Sequence, residues 1–194
     1  MKNNIIFTGV GGQGVITAAN ILGKAALKTG KKVYVSEVHG MAQRGGSVNC
    51  TVRIGDVYGP LVEKGTADAI VSTEPIEALR YIHYSNKKTK IITDTNPVIP
   101  FTVSVGNVKY PSLEKVFDEL NKFGELYTIN ANEIAIKAGN ILTKNIVILG
   151  ALAASNVLPL ESDLLLSTIL EFFPSKFSKI NSEAFKGGYN SIKN

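Results

Sequence analysis

The chain has 194 residues, 44% of them hydrophobic, which is enough apolar material to bury a substantial core and to expect a single domain over 1–194. Its lone cysteine, Cys50, excludes an internal disulfide, an iron–sulfur cluster and a structural zinc site; no apolar run reaches the ~20 residues of a membrane span, and Met1-Lys2-Asn3-Asn4 leads into a strand and not into a signal segment, so a cytoplasmic location and no membrane partner are expected. The net charge of +5 comes from 21 Lys and Arg residues, of which only Arg44, Arg53 and Arg80 are arginines, and their scatter resembles a solvated surface and not a nucleic-acid stripe.

The apolar run 4–8 reads as a buried strand. Directly behind it stand Gly9, Val10, Gly11, Gly12, Gln13 and Gly14, "GVGGQG", and then a helical pattern over 13–29 with Val15, Ala19, Leu22 and Ala26 on one face. Gly30 supplies a stop of the kind helix ends favour. Residues 32–36 read as a second strand, so the first 36 residues form a β-α-β unit, which crosses over right-handedly and implies a parallel sheet. Further strands are expected at 47–54, 69–72, 90–93 and 126–129, and helices at 75–83, 112–122, 131–138, 145–156 and 161–172. The stretch 96–111 looks irregular. Strands interleaved with helices predict a doubly wound α/β domain, mainly parallel, with helices on both sheet faces.

Gly9, Gly11 and Gly14 keep the spacing G-x-G-x-x-G between strand and helix, where missing side chains permit a tight turn, close approach of an anion and close helix–strand packing. Free N–H groups at the helix start then face a phosphate. Glu37 follows Gly14 by 23 residues, the interval at which an acid accepts hydrogen bonds from a ribose, although an exposed acid at a strand end has the same appearance. The next segment, "SEVHGMAQRGGSV", gathers Glu37, His39, Gly40, Met41, Gln43, Arg44, Gly45 and Gly46 at the carboxyl end of a strand, where open α/β sheets place their ligands. A plain turn with a surface histidine and a solvated arginine is the alternative. Elsewhere, Glu74 fits a helix start and Glu77 pairs with Arg80 across one turn. Cys50 fits a packed, inert thiol, His83 a surface position, and Tyr58-Gly59-Pro60 a turn. No residue stands out as catalytic and no metal site is expected.

The segments "GVGGQGV", "EVHGMAQRGGSV" and "TVRIG", with "ADAIVSTEPIEALRY", "NIVILGAL" and "NSEAFKGGY" later in the chain, resemble the gamma-type module of the 2-oxoacid:ferredoxin oxidoreductases, in their indolepyruvate branch. The resemblance covers nearly the whole chain. It implies the Rossmann-like fold of pyruvate-ferredoxin oxidoreductase gamma domains and CoA-dependent oxidative decarboxylation of aryl pyruvates to aryl-acetyl-CoA, with ferredoxin as acceptor. It also implies a large alpha subunit carrying thiamine diphosphate and the iron–sulfur clusters, with this chain inactive alone. On that reading the glycine loop meets a phosphate of coenzyme A, the Glu37–Gly46 segment meets substrate or the partner, and the region of Tyr58 meets the partner. Two other readings stay open: a free-standing NAD- or FAD-binding module, and a purely structural subunit, with a homodimer available to the isolated chain.

Overall fold

The computed structural model describes residues 2–39, 45–99 and 109–193. Strands β1 (Lys2–Val10), β2 (Val33–His39), β3 (Ser47–Gly55), β4 (Ala69–Ser72), β5 (Lys90–Asp94) and β6 (Glu125–Ile129) form one sheet in the order β2-β3-β1-β4-β5-β6. Pairing is parallel from β1 through β4 and β5 to β6. β3 is the exception, antiparallel to both β1 and β2.

The first β-α-β unit keeps the expected parallel sense of its two strands, but it is split. Helix α1 (Val15–Leu27) carries the chain to β2, which runs in the direction of β1 but does not pair with it, because β3 lies between them. The cause is connection length. Only residues 40–46 separate β2 from β3, whereas a parallel return needs a dozen residues or more. The chain must double back, and β3 fills the slot beside β1.

β1 is buried from Asn3 to Val10, as a central strand covered on both faces must be. Ile5 and Phe7 face the larger core together with Val52, Val71 and Ile92. That face is covered by α1, α4 (Ala131–Ala138), α5 (Lys144–Ala154), α6 (Ser162–Phe172) and α7 (Ser178–Lys193). Ile6, Ile70 and Ile91 face the other side, against α2 (Pro75–Arg80), α3 (Leu113–Asn121) and the 3₁₀ turn Ile82–Tyr84. Asn4 is buried within this apolar strand, yet it is satisfied. Its backbone N–H donates to Asp68 Oδ2 at 2.7 Å, its amide donates to Thr66 O at 3.0 Å, and Arg53 Nε donates to its Oδ1 at 2.9 Å.

α5 is buried without a break from Asn145 to Leu152, the pattern of a helix enclosed on all sides. It is enclosed by α7, an element the sequence reading does not assign. A Cβ at Gly188 of α7 would fall on the Val147 carbonyl of α5, and one at Gly150 of α5 on the Phe185 carbonyl of α7. These glycines let two helix backbones touch, so packing overrides their poor helix propensity.

Candidate functional site

The glycine turn joins the end of β1 to the start of α1. Gly12 has φ 98° and Gly14 φ 77°, a left-handed geometry that side chains resist. Gly14 is the N-cap of α1, and no side chain caps the helix. The first intrahelical bond runs from Ala18 N–H to Gly14 O at 2.9 Å, so the N–H groups of Val15, Ile16 and Thr17 have no intrahelical acceptor. Aligned peptide dipoles add partial positive charge at the same place. A cavity of about 430 Å³ opens here, lined by Val10, Gly11, Gly12, Gly14, Ile16 and Val48 among others.

Gln13 is the brace of this turn, a role its sequence position does not announce. Its Oε1 accepts from Val10 N–H at 2.9 Å and from Thr73 Oγ1 at 2.6 Å, while its own N–H donates to Val10 O at 3.1 Å. Gly9 sits behind the loop, buried inside β1. A Cβ there would land on Thr73 Oγ1 and press on Val15, so Gly9 serves packing, whereas Gly11, Gly12 and Gly14 face the cavity.

The second predicted loop meets the first. Gly11 N–H donates to Gly46 O at 2.8 Å and Gly45 N–H donates to Gly11 O at 3.3 Å, so the glycine turn and the base of the β2–β3 hairpin are joined through their backbones. Gly40, Met41, Gln43 and Arg44 lie outside the described residues. His39 pairs with Val48 and Glu37 with Cys50 in the β2–β3 ladder. Because β3 separates β2 from β1, Glu37 stands two strand spacings, roughly 10 Å, from the strand that feeds the glycine turn. The ribose-accepting acid of a dinucleotide site sits on the adjacent strand instead. Of the dinucleotide fingerprint, the turn is present and the acid is displaced.

Glu74 and Glu77 flank this junction. Glu74 caps α2, accepting from Glu77 N–H at 2.9 Å, and Tyr110 donates to its other oxygen. Glu77 pairs with Arg80 at 2.9 Å, as expected, and also accepts from Ser47 Oγ at 2.5 Å, which ties the first residue of β3 to α2. Both acids are buried, which no local pattern shows. Burial raises the Glu77 carboxyl above its ordinary value, against the opposing pull of Ser47 and Arg80. The folded state therefore holds this proton more tightly than the unfolded chain. The stabilising contribution is complete below the ordinary carboxyl range and is lost as pH rises through the raised folded value. Glu77→Gln is accordingly expected to match the parent in melting temperature near pH 4 and to exceed it near pH 7. Thermal melts across that range check this, and a variant that loses ground at neutral pH would show that the Arg80 pair outweighs burial.

Cys50 is 1% exposed. Burial, and secondarily the Glu37 charge, push its thiol up to about 12, so it stays protonated and inert. Among the described residues no group of three or more His, Cys, Asp or Glu side chains is placed to hold a metal ion, and no helix is long and apolar enough to cross a membrane.

Residues 4–191 match the family model of pyruvate ferredoxin/flavodoxin oxidoreductase. The chain is 48% identical to the indolepyruvate oxidoreductase subunit IorB of Pyrococcus horikoshii, covering 98% of this chain and 96% of the relative. It is 44% identical to the subunit of the same name from Archaeoglobus fulgidus, covering 98% and 95%. Identity to the pyruvate/ketoisovalerate oxidoreductases common subunit gamma of Thermococcus kodakarensis is lower, 31%, over 96% and 95%. In fold, the chain superposes on the gamma subunit of a keto/oxoacid ferredoxin oxidoreductase from Geobacter sulfurreducens with a TM-score of 0.72, at 24% identity over 98% of both chains. It also matches the 2-oxoglutarate:ferredoxin oxidoreductase of Magnetococcus marinus with a TM-score of 0.72 at 21% identity, covering 99% of this chain and 31% of that one, so the same fold occurs there as part of a longer polypeptide. With a matching family model over nearly its whole length, the chain belongs to the pyruvate ferredoxin/flavodoxin oxidoreductase family.

Proposed function

We propose that this chain is the small, cluster-free subunit of an indolepyruvate ferredoxin oxidoreductase, and that its glycine turn and β2–β3 hairpin complete the active site by holding coenzyme A. The subunit assignment is supported by the higher identity to IorB subunits than to a pyruvate-type gamma subunit. The site assignment is carried by one observation, the reciprocal backbone bonds between Gly11 and the Gly45-Gly46 pair. They join the glycine turn to the two residues that lead into β3, at the carboxyl edge of the parallel strands.

The cofactors divide by donor chemistry. A single buried, protonated thiol does not fit an iron–sulfur cluster, which takes several thiolates, so the clusters and thiamine diphosphate belong to the larger alpha subunit. Held by that subunit, thiamine diphosphate would supply an electron sink for decarboxylation and the clusters a path for electrons to ferredoxin. This chain binds and orients. The unpaired N–H groups at the start of α1 suit a phosphate of coenzyme A, and Arg44, two residues before Gly46 in sequence, has the guanidinium chemistry to pair with a phosphate or carboxylate. His39, Gly40, Met41 and Gln43 are assigned to contact with substrate or the alpha subunit on the resemblance of their segment alone.

Arg44→Ala in the assembled complex is expected to raise the KM for coenzyme A by about tenfold or more, the loss of one charge-assisted hydrogen bond, with little change in assembly. Steady-state kinetics with an aryl pyruvate and ferredoxin measures it. Unchanged assembly, coenzyme A dependence and turnover would remove Arg44 from the site.

A further inference from the structure

Residues 73–77 run from the end of β4 into α2 and fasten three separate segments at the carboxyl edge of the sheet. Thr73 Oγ1 donates to Gln13 of the glycine turn at 2.6 Å. Glu74 accepts from Tyr110, which stands shortly before α3. Glu77 accepts from Ser47, the first residue of β3, at 2.5 Å. The partners lie 60, 36 and 30 residues away in sequence, so none of these ties is a by-product of local turn geometry.

The Ser47 tie bears most directly on the glycine turn. Gly46 O accepts from Gly11 N–H at 2.8 Å, and Ser47 is the next residue. Gly45, at φ 78°, and Gly46 have no side chains for packing to hold, and glycine backbones are the most easily displaced. Their place is therefore set from the β3 side. Val48 anchors that strand in the larger core, and Ser47, which points to the opposite sheet face, is anchored by Glu77. Glu77 is itself held. Its other oxygen accepts from Arg80 at 2.9 Å, its N–H donates to Glu74 at 2.9 Å, and its carbonyl accepts from Thr8 Oγ1 of β1 at 3.4 Å. A buried acid is a costly way to fill this space, and an apolar residue of similar volume often packs as well. An apolar residue cannot accept from Ser47.

We propose that Glu77 is a positioning residue for coenzyme A, which acts through Ser47 to set the Gly45-Gly46 backbone against the glycine turn and does not touch the ligand itself. This role rests on the coenzyme A reading given above and adds to it a residue on the sheet face opposite α1.

The test compares Glu77→Leu, Ser47→Ala and the double variant in the assembled complex, by steady-state kinetics with an aryl pyruvate and ferredoxin. Each single change is expected to raise the KM for coenzyme A roughly fivefold to tenfold, the size of coupling carried through an intermediate contact, with kcat within about twofold of the parent. The double variant should be no worse than either single one, since both remove the same tie. Glu77→Gln should restore the parent KM, because its amide can donate to Ser47 Oγ while its oxygen accepts from Arg80. A merely structural role has another signature, in which less folded enzyme lowers kcat and leaves KM where it was. Loss of kcat at constant KM, additive effects of the two changes, or a Glu77→Gln variant as poor as Glu77→Leu would each overturn the proposal. Should Glu77→Leu fail to fold, Ser47→Ala carries the comparison, with Ser47→Thr, which keeps the hydroxyl, as its rescue. Gly14→Ala tells the two levels apart. If it raises the KM and Ser47→Ala does not, the positioning role alone falls; if neither does, coenzyme A binding at the turn falls with it.

Discussion

Gly188→Ala is expected to destabilise the protein by about 3 kcal/mol, the upper range for forcing a methyl into a packed interior, lowering the melting temperature by roughly 6–12 °C for a chain of this size. The sign is the informative part. In an exposed helix the same substitution stabilises by about 1 kcal/mol, because alanine is the better helix former. Here the new Cβ would fall on the Val147 carbonyl, and a backbone group on a fully enclosed helix has nowhere to move. Gly150→Ala meets the Phe185 carbonyl from the other side and should behave alike. Gly59, where a Cβ meets open space, is the control, with an expected change within about 0.5 kcal/mol. A rise in melting temperature for Gly188→Ala would show that α5 and α7 do not meet through their backbones.

The second large effect falls on the site. Gly14→Ala places a Cβ 2.7 Å from Asn145 Nδ2 on a backbone held at φ 77°, a left-handed conformation that costs a side-chain-bearing residue about 1–2 kcal/mol. Relief requires the turn to open and the α1 N–H groups to turn away from their common focus. In the assembled complex, kcat/KM for coenzyme A should fall by about tenfold or more. Gly14→Ala combined with Asn145→Ala removes the two nearest contacts, Asn145 Nδ2 and Cγ, but leaves the Asn145 Cβ at 3.2 Å and the dihedral strain, so recovery should be partial and the two changes non-additive. Activity that survives Gly14→Ala intact would separate the turn from coenzyme A binding.

Most of the fold is legible in the chain because its signals are local. β4 and α4 fall on their expected residues, 69–72 and 131–138, where apolar runs or helical periods are bounded by clear turn residues. The direction of β3 is different in kind. Its alternating pattern over Ser47–Gly55 marks a strand of either direction, and only the shortness of the 40–46 connection decides. α7 is hidden because Gly187-Gly188 resembles a break, and its cause, contact with α5, lies some 40 residues away in sequence. In the site, the glycine spacing is local and visible. The Gln13–Thr73 brace and the Ser47–Glu77 tie each join separate elements, and no periodicity carries such information. The displaced Glu37 illustrates the same limit, since its interval from Gly14 fits a dinucleotide site until the strand order is known.

A small subunit of a cluster-bearing oxidoreductase must be found together with its partner. The most direct measurement is mild affinity purification of the tagged chain from its native source, with mass spectrometry of whatever accompanies it and a visible absorption spectrum. A stoichiometric larger partner, a brown preparation with iron–sulfur absorbance, and reduction of ferredoxin by an aryl pyruvate that depends on coenzyme A are expected. A colourless, partner-free chain that binds NAD or FAD would contradict this assignment.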